Sequence, residues 1–218
     1  MVTWLINLIT SSAAWKWIVD TPFAKINFRM VSYTSFPIEK YYEIVDLINA
    51  DVATSTIPAI YCFVSTDRCT LGSWVIRKFT NAVYTHAGII IPGTYKDCKI
   101  KHMTSTGFHS DNPIELLKEV DLFSVVKYCF PAKQSYDLAV SKLAEIELTK
   151  PEYDEAITIG GNKLYCSELV FTVLNKRIVV TPLGECVQLR PRLSFGREVF
   201  TPDHVFEDAT AVLFKHST

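Results

Sequence analysis

Across residues 35–51 apolar side chains recur at steps of three and four, at Ile38, Tyr41, Tyr42, Val45 and Ile48, and Pro37 suits a first-turn position. That spacing predicts an amphipathic helix. After Ile57 the pattern changes. Ala59-Ile60-Tyr61-Cys62-Phe63-Val64 is a short apolar run that reads as a strand. Trp74, Val75, Ile76 and Phe79 predict a helix over 73–79. Ala87-Gly88-Ile89-Ile90-Ile91 is rich in β-branched residues and stops at Pro92-Gly93, a strand followed by a turn. Residues 99–104 alternate and are expected to pair with it as an antiparallel hairpin. A short helix or turn is predicted over 114–120 and a strand over 122–128. Leu138, Leu143 and Ile146 mark a helix over 135–148. The break at Gly160-Gly161 leads to a buried helix over 167–176, with Leu169, Val170, Val173 and Leu174 as its apolar positions. The stretch 199–214 reads as a loop and a last strand at 211–214. Strands and helices do not alternate strictly, which favours α+β over a doubly wound parallel sheet.

Composition narrows the class. The chain has 218 residues, 49% hydrophobic and 21% charged, enough for one well-filled domain and too apolar for a disordered or fibrous chain. The formal net charge is -1 and no dense basic run occurs, so a nucleic-acid partner is not expected. Trp4, Trp15 and Trp17 all fall near the start. Residues 1–55 therefore read as an aromatic-rich extension and 56–218 as the main domain. The extension either packs on that domain or offers a docking surface to a protein partner. Residues 1–10 are apolar, but no Lys or Arg precedes them as a secretory signal requires. Lys16 and Asp20 interrupt any stretch long enough to span a membrane, which leaves a cytoplasmic protein as the expectation. The six cysteines contain no CxxC pair, so free thiols are expected, with no structural disulfide and no zinc.

Three residues could carry chemistry. Cys166 follows a glycine-bearing loop and falls at the start of the predicted helix over 167–176. A helix start presents unpaired N–H groups and a partial positive charge, which favour a thiolate and can receive an oxyanion. The plain alternative is a small core residue. His86 heads the β-branched run, and Gly88 two positions on allows a substrate or another chain segment to approach closely. His102 lies on the second strand of the expected hairpin, beside His86, so one imidazole can act as base and the other can orient it. A zinc site from Cys166, His86 and His102 is conceivable but lacks a short ligand pair. His109, His204 and His216 read as surface residues.

Taken together, His86-Ala-Gly-Ile-Ile, the polar residue at His102 and Tyr165-Cys-Ser-Glu-Leu-Val resemble the circularly permuted papain-like amidases of the NlpC superfamily, the YiiX-like group. In that group the histidine precedes the cysteine, as it does here. Gly107-Phe108, the run Pro113-Ile-Glu-Leu-Leu and Thr201-Pro202-Asp203 extend the likeness over roughly residues 56–214. The resemblance implies an antiparallel sheet packed against helices, Cys166 as nucleophile, His86 as general base and His102 as the third polar residue. Tyr165 and Gly88 are implied to line the substrate site, and no cofactor is implied. Histidine in the third position is also similar to the lecithin retinol acyltransferase branch. A peptide or peptidoglycan-like amide is the implied substrate, with a lipid acyl group as the alternative. A structural, virion-associated protein that keeps the fold is a further alternative.

Overall fold

In the computed structural model the described residues are 36–67, 77, 82–118, 120–154, 157–174, 178–194 and 197–217. Among the described residues the first element is helix α1 (Ile38–Thr54). Tyr41, Ile44, Val45 and Ile48 form its buried stripe, while Ile38 and Tyr42, expected on that stripe, are exposed. Pro37 caps the helix from outside rather than sitting in its first turn. The helix stops at Ser55, whose backbone is already extended, three residues before Pro58.

The sheet is antiparallel throughout, as its register shows. Strands β1 (Ala59–Asp67), β2 (His86–Ile91), β3 (Lys99–Thr104), β4 (Gly107–Asp111), β5 (Val120–Cys129), β6 (Ile178–Val180) and β7 (Cys186–Gln188) stand in the order β4-β3-β2-β1-β5-β6-β7. The last strand, β10 (Ala211–Ser217), also pairs with β5. A separate two-stranded ribbon joins β8 (Arg192–Ser194) to β9 (Arg197–Val199). The expected hairpin of residues 87–91 with 99–104 is present, with Gly88 opposite His102.

Helices cover both faces of the sheet. On one face α3 (Lys133–Thr149), α4 (Cys166–Leu174) and α5 (Pro202–Glu207) pack over Cys62, Val64, Ala87, Ile89, Met103, Val126 and Tyr128. On the other, α1 and the short α2 (Pro113–Leu117) pack over Tyr61, Phe63, Ile90, Ile100, Phe123 and Val125. Burial on both sides explains why β1 opens with an unbroken apolar run, Ala59 to Val64, rather than an alternating one. The far end of α1 is pinned by Asp51, which accepts from the Tyr61 hydroxyl at 2.8 Å and pairs with Lys127.

Several sequence expectations need correction. Leu138 points to solvent and Ala139 takes its place in the core beside Leu143 and Ile146. Residues 202–207, read as loop, form α5, because Thr201 and His204 cap one another and Pro202 fits the first turn. Strand β4 and the short strands β6 to β9 give too little alternation to be read. The helix predicted over 73–79 lies outside the described residues except at Arg77, which is helical. No helix among the described residues is long and apolar enough to cross a membrane.

Candidate active site

The site is built at the edge formed by β2, β3 and β4. His86 is the first residue of β2, and its Nε2 lies 2.8 Å from Nδ1 of His102 on β3. Nε2 of His102 lies 3.1 Å from Oδ2 of Asp111, the last residue of β4. Asp111 was not singled out in the sequence. It follows from register: His102 stands opposite His109, and Asp111, two residues further along, shares that face. Reading Gly107-Phe108-His109-Ser110-Asp111 as a strand would have found it.

The direction of the hydrogen bonds can be assigned from their partners. A carboxylate only accepts. Nε2 of His102 therefore donates to Asp111, its Nδ1 accepts, and Nε2 of His86 donates to it. This leaves Nδ1 of His86 with a free lone pair. Burial and the neighbouring His102 push the His86 imidazole down to about 3, so it is neutral near pH 7. Burial also lowers His102, against the raising influence of Asp111. A neutral His86 differs from the ion-pair partner that a pre-formed thiolate would need; it is a base awaiting a proton.

Gly88 explains how the imidazoles fit. A Cβ there would lie 2.5 Å from Cε1 of Phe63, 2.7 Å from the Lys101 carbonyl oxygen and 2.9 Å from Cβ of His102. Its hydrogen thus admits β3 and the Phe63 ring, the chain-segment form of the close approach expected at this position. Phe63 stands 5.6 Å from His86 and 6.2 Å from His102, ring centre to ring centre. Beside them the Ser65 hydroxyl, directly opposite His86 on β1, is buried without a hydrogen-bond partner.

Cys166 opens α4, which packs on β2 and β3. It belongs to the same core cluster as Tyr84, Ala87 and Met103. Alternation along β2 turns Ala87 and Ile89 toward α4, and His86, Gly88 and Ile90 toward the face that carries Phe63. Any meeting of thiol and imidazole therefore takes place around the start of β2 rather than across its face.

One short segment braces both. The Phe200 N–H donates to the Tyr165 hydroxyl at 3.0 Å, and the Ser167 hydroxyl donates to the Phe200 carbonyl. Three residues on, the Asp203 carboxylate accepts from the Val83 and Tyr84 N–H groups at 2.9 and 2.8 Å. Residues 200–203 so grip the chain on either side of Cys166 and just before His86. Tyr165 is buried and spends its hydroxyl on this brace. The other histidines are placed differently from expectation. His109 is half-buried, with Nε2 at 2.7 Å from the Thr106 hydroxyl; His204 caps α5; and Nε2 of His216 is buried without a hydrogen-bond partner. Cys62, Cys98, Cys129, Cys166 and Cys186 form no disulfide among the described residues, and Cys69 lies outside them. No group of three or more His, Cys, Asp or Glu side chains among the described residues is arranged to hold a metal ion.

Fold and site together define an α+β protein whose antiparallel sheet is packed against helices and carries a hydrogen-bonded carboxylate–imidazole–imidazole chain at one edge. A solved structure shares this architecture: the metalloprotein YiiX from Escherichia coli O157:H7, with a TM-score of 0.52 and 15% identity over 75% of this chain and 100% of that one. The likeness establishes a YiiX-like fold and nothing finer. No protein-family model and no curated protein sequence matches the chain.

Proposed function

We propose that the chain is a thiol hydrolase of permuted papain-like type, acting on an amide bond in a peptide or peptidoglycan-like substrate. The observation that carries this reading is the chain Asp111–His102–His86, which leaves one imidazole nitrogen free as a base. The placement of Cys166 at the first residue of a helix packed on β2 supports it. In this mechanism the Cys166 sulfur attacks the carbonyl carbon while Nδ1 of His86 takes the thiol proton. The C–N bond breaks as the imidazolium returns that proton to the leaving amine. Water, deprotonated by the same nitrogen, then cleaves the thioester and restores the thiol. His102 and Asp111 hold the tautomer and share the transient positive charge. The Cys166 N–H, at the positive end of a helix, is the oxyanion donor.

No step here is routed through a metal ion, although YiiX is a metalloprotein. The ring nitrogens of His86 and His102 that face one another are bonded to each other, and Nε2 of His102 to Asp111, so they are not turned toward a common ion.

Competition with iodoacetamide near neutral pH tests the reading. Cys166 should be modified faster than the exposed Cys186, and His86→Ala should slow it while leaving Cys186 unchanged. A Cys166 that reacts no faster than in the denatured chain would make it a core residue and the protein a structural one.

A further inference from the structure

Glu168 is a buried carboxyl that the relay does not use. It lies two residues after Cys166 in the first turn of α4 and is 1% exposed. Positions two apart do not share a helix face, so it does not act on the thiol side by side. Its Oε1 accepts from the Gly160 N–H at 3.0 Å; its Oε2 is buried, and the Tyr165 N–H is the other backbone donor acting on the carboxyl. The segment it holds has an unusual backbone: Ile157 at φ 51 and Gly160 at φ 91 are both left-handed, a costly conformation for isoleucine. A second buried carboxyl, Asp154, holds the other side. Its Oδ2 accepts from the Thr158 N–H and hydroxyl at 2.7 and 2.8 Å. The base is closed by Leu164, whose N–H donates to the Glu152 carbonyl and whose carbonyl accepts from the Asp154 N–H, both at 3.0 Å. The next residues are Tyr165 and Cys166.

An amide of the same shape would hold Gly160 without a buried charge. A carboxyl buried this deeply lowers stability when it ionises, and such a feature beside a reactive group marks a functional demand. We propose that Glu168 is a positioning residue of the Cys166 site: it fixes the 157–164 segment at the entrance to α4, and its protonation couples that segment to pH. The proposal rests on the reading of Cys166 as nucleophile.

The groups around Glu168 set the sign. Burial pushes its carboxyl up to about 7; the Gly160 and Tyr165 N–H groups oppose this and Asp154 adds to it. Tyr165 and Cys166 are the remaining titratable neighbours, and Lys163 pairs with Glu152 at 2.6 Å. A closed segment that binds the proton more tightly than an open one is most favoured at low pH and loses ground as pH rises through about 7. Between pH 6 and pH 8 the open population should rise about tenfold.

Amide exchange at Gly160 and iodoacetamide labelling of Cys166, scaled to Cys186, test this on the full chain as wild type, E168Q and E168A. Corrected for intrinsic exchange, the wild-type Gly160 amide should exchange about tenfold faster at pH 8 than at pH 6. In E168Q, which keeps the acceptor and the shape, that step should vanish, and the scaled labelling of Cys166 should lose its own inflection near pH 7. E168A should exchange fast at both pH values. Should E168A fail to fold, the pH step in E168Q alone decides. A reactive Cys166 with either step intact in E168Q overturns the positioning role and leaves the hydrolase reading standing. A wild-type Cys166 that is never faster than in the denatured chain sinks the hydrolase reading and the positioning role with it.

Discussion

At the scale of single residues, the order of donors and acceptors decides what His86 can do. Asp111→Asn keeps the size of the side chain but adds a donor. An amide N–H facing Nε2 of His102 would reverse both tautomers and place a proton on Nδ1 of His86, the nitrogen needed as base. Labelling of Cys166 should fall at least about tenfold, while Asp111→Ala, which imposes no tautomer, should cost less. The thermal midpoint should hardly move, since the Asp111 side chain is 50% exposed. Equal loss in the two variants would remove Asp111 from the chain of hydrogen bonds. The places of Cys166 at a helix start and of His86 and His102 on paired strands were legible in the sequence because each sits at the start of a run or on an expected hairpin. Asp111 was not, because a five-residue strand with two glycine or serine positions carries almost no alternation. Asp203 and Glu168 act through backbone N–H groups distant in sequence or bent into a loop, and no local pattern announces such contacts.

At the scale of elements, α1 tests where the domain begins. The boundary expected at 55/56 falls in the turn between α1 and β1. Yet Tyr41, Ile44, Val45 and Ile48 cover the face formed by Tyr61, Phe63, Ile90, Ile100, Phe123 and Val125. Burying each such side chain contributes about 1.5–3 kcal/mol, so their sum rivals the whole stability of a typical domain, about 5–15 kcal/mol. A truncation beginning at Phe36 should keep a cooperative unfolding transition, whereas one beginning at Ser55 should lose it or aggregate. A folded product from Ser55 would show that the sheet closes without its α1 layer. The helical period made α1 visible in the sequence, and packing on the main domain was one of the two readings of the extension, but the sheet face it covers was hidden. Both faces of β1 are apolar, and an apolar run does not say what covers it.

For the whole molecule, the buried titratable groups pull in opposite directions. His86 and His102 are both lowered by burial, so the unfolded chain binds their protons more readily than the folded one. Their contribution is complete above the ordinary value of 6.5 and is lost as pH falls below it. Glu168, raised, contributes most at low pH and less as pH rises through about 7. His204 is lowered by burial as well and Asp208 raised by it; with three histidines lowered, the urea midpoint should drop between pH 7 and pH 5. A His86→Gln/His102→Gln double variant should drop less, and an undiminished drop would place the acid sensitivity elsewhere. The brace at residues 200–203 has a consequence for synthesis. Tyr165, Ser167, Val83 and Tyr84 are all complete long before Phe200 and Asp203 leave the ribosome. A nascent chain that already contains Cys166, His86 and His102 therefore still lacks the segment that ties the start of α4 to the residues before β2. Those two parts of the fold are joined through residues 200–203 only after that stretch has been made.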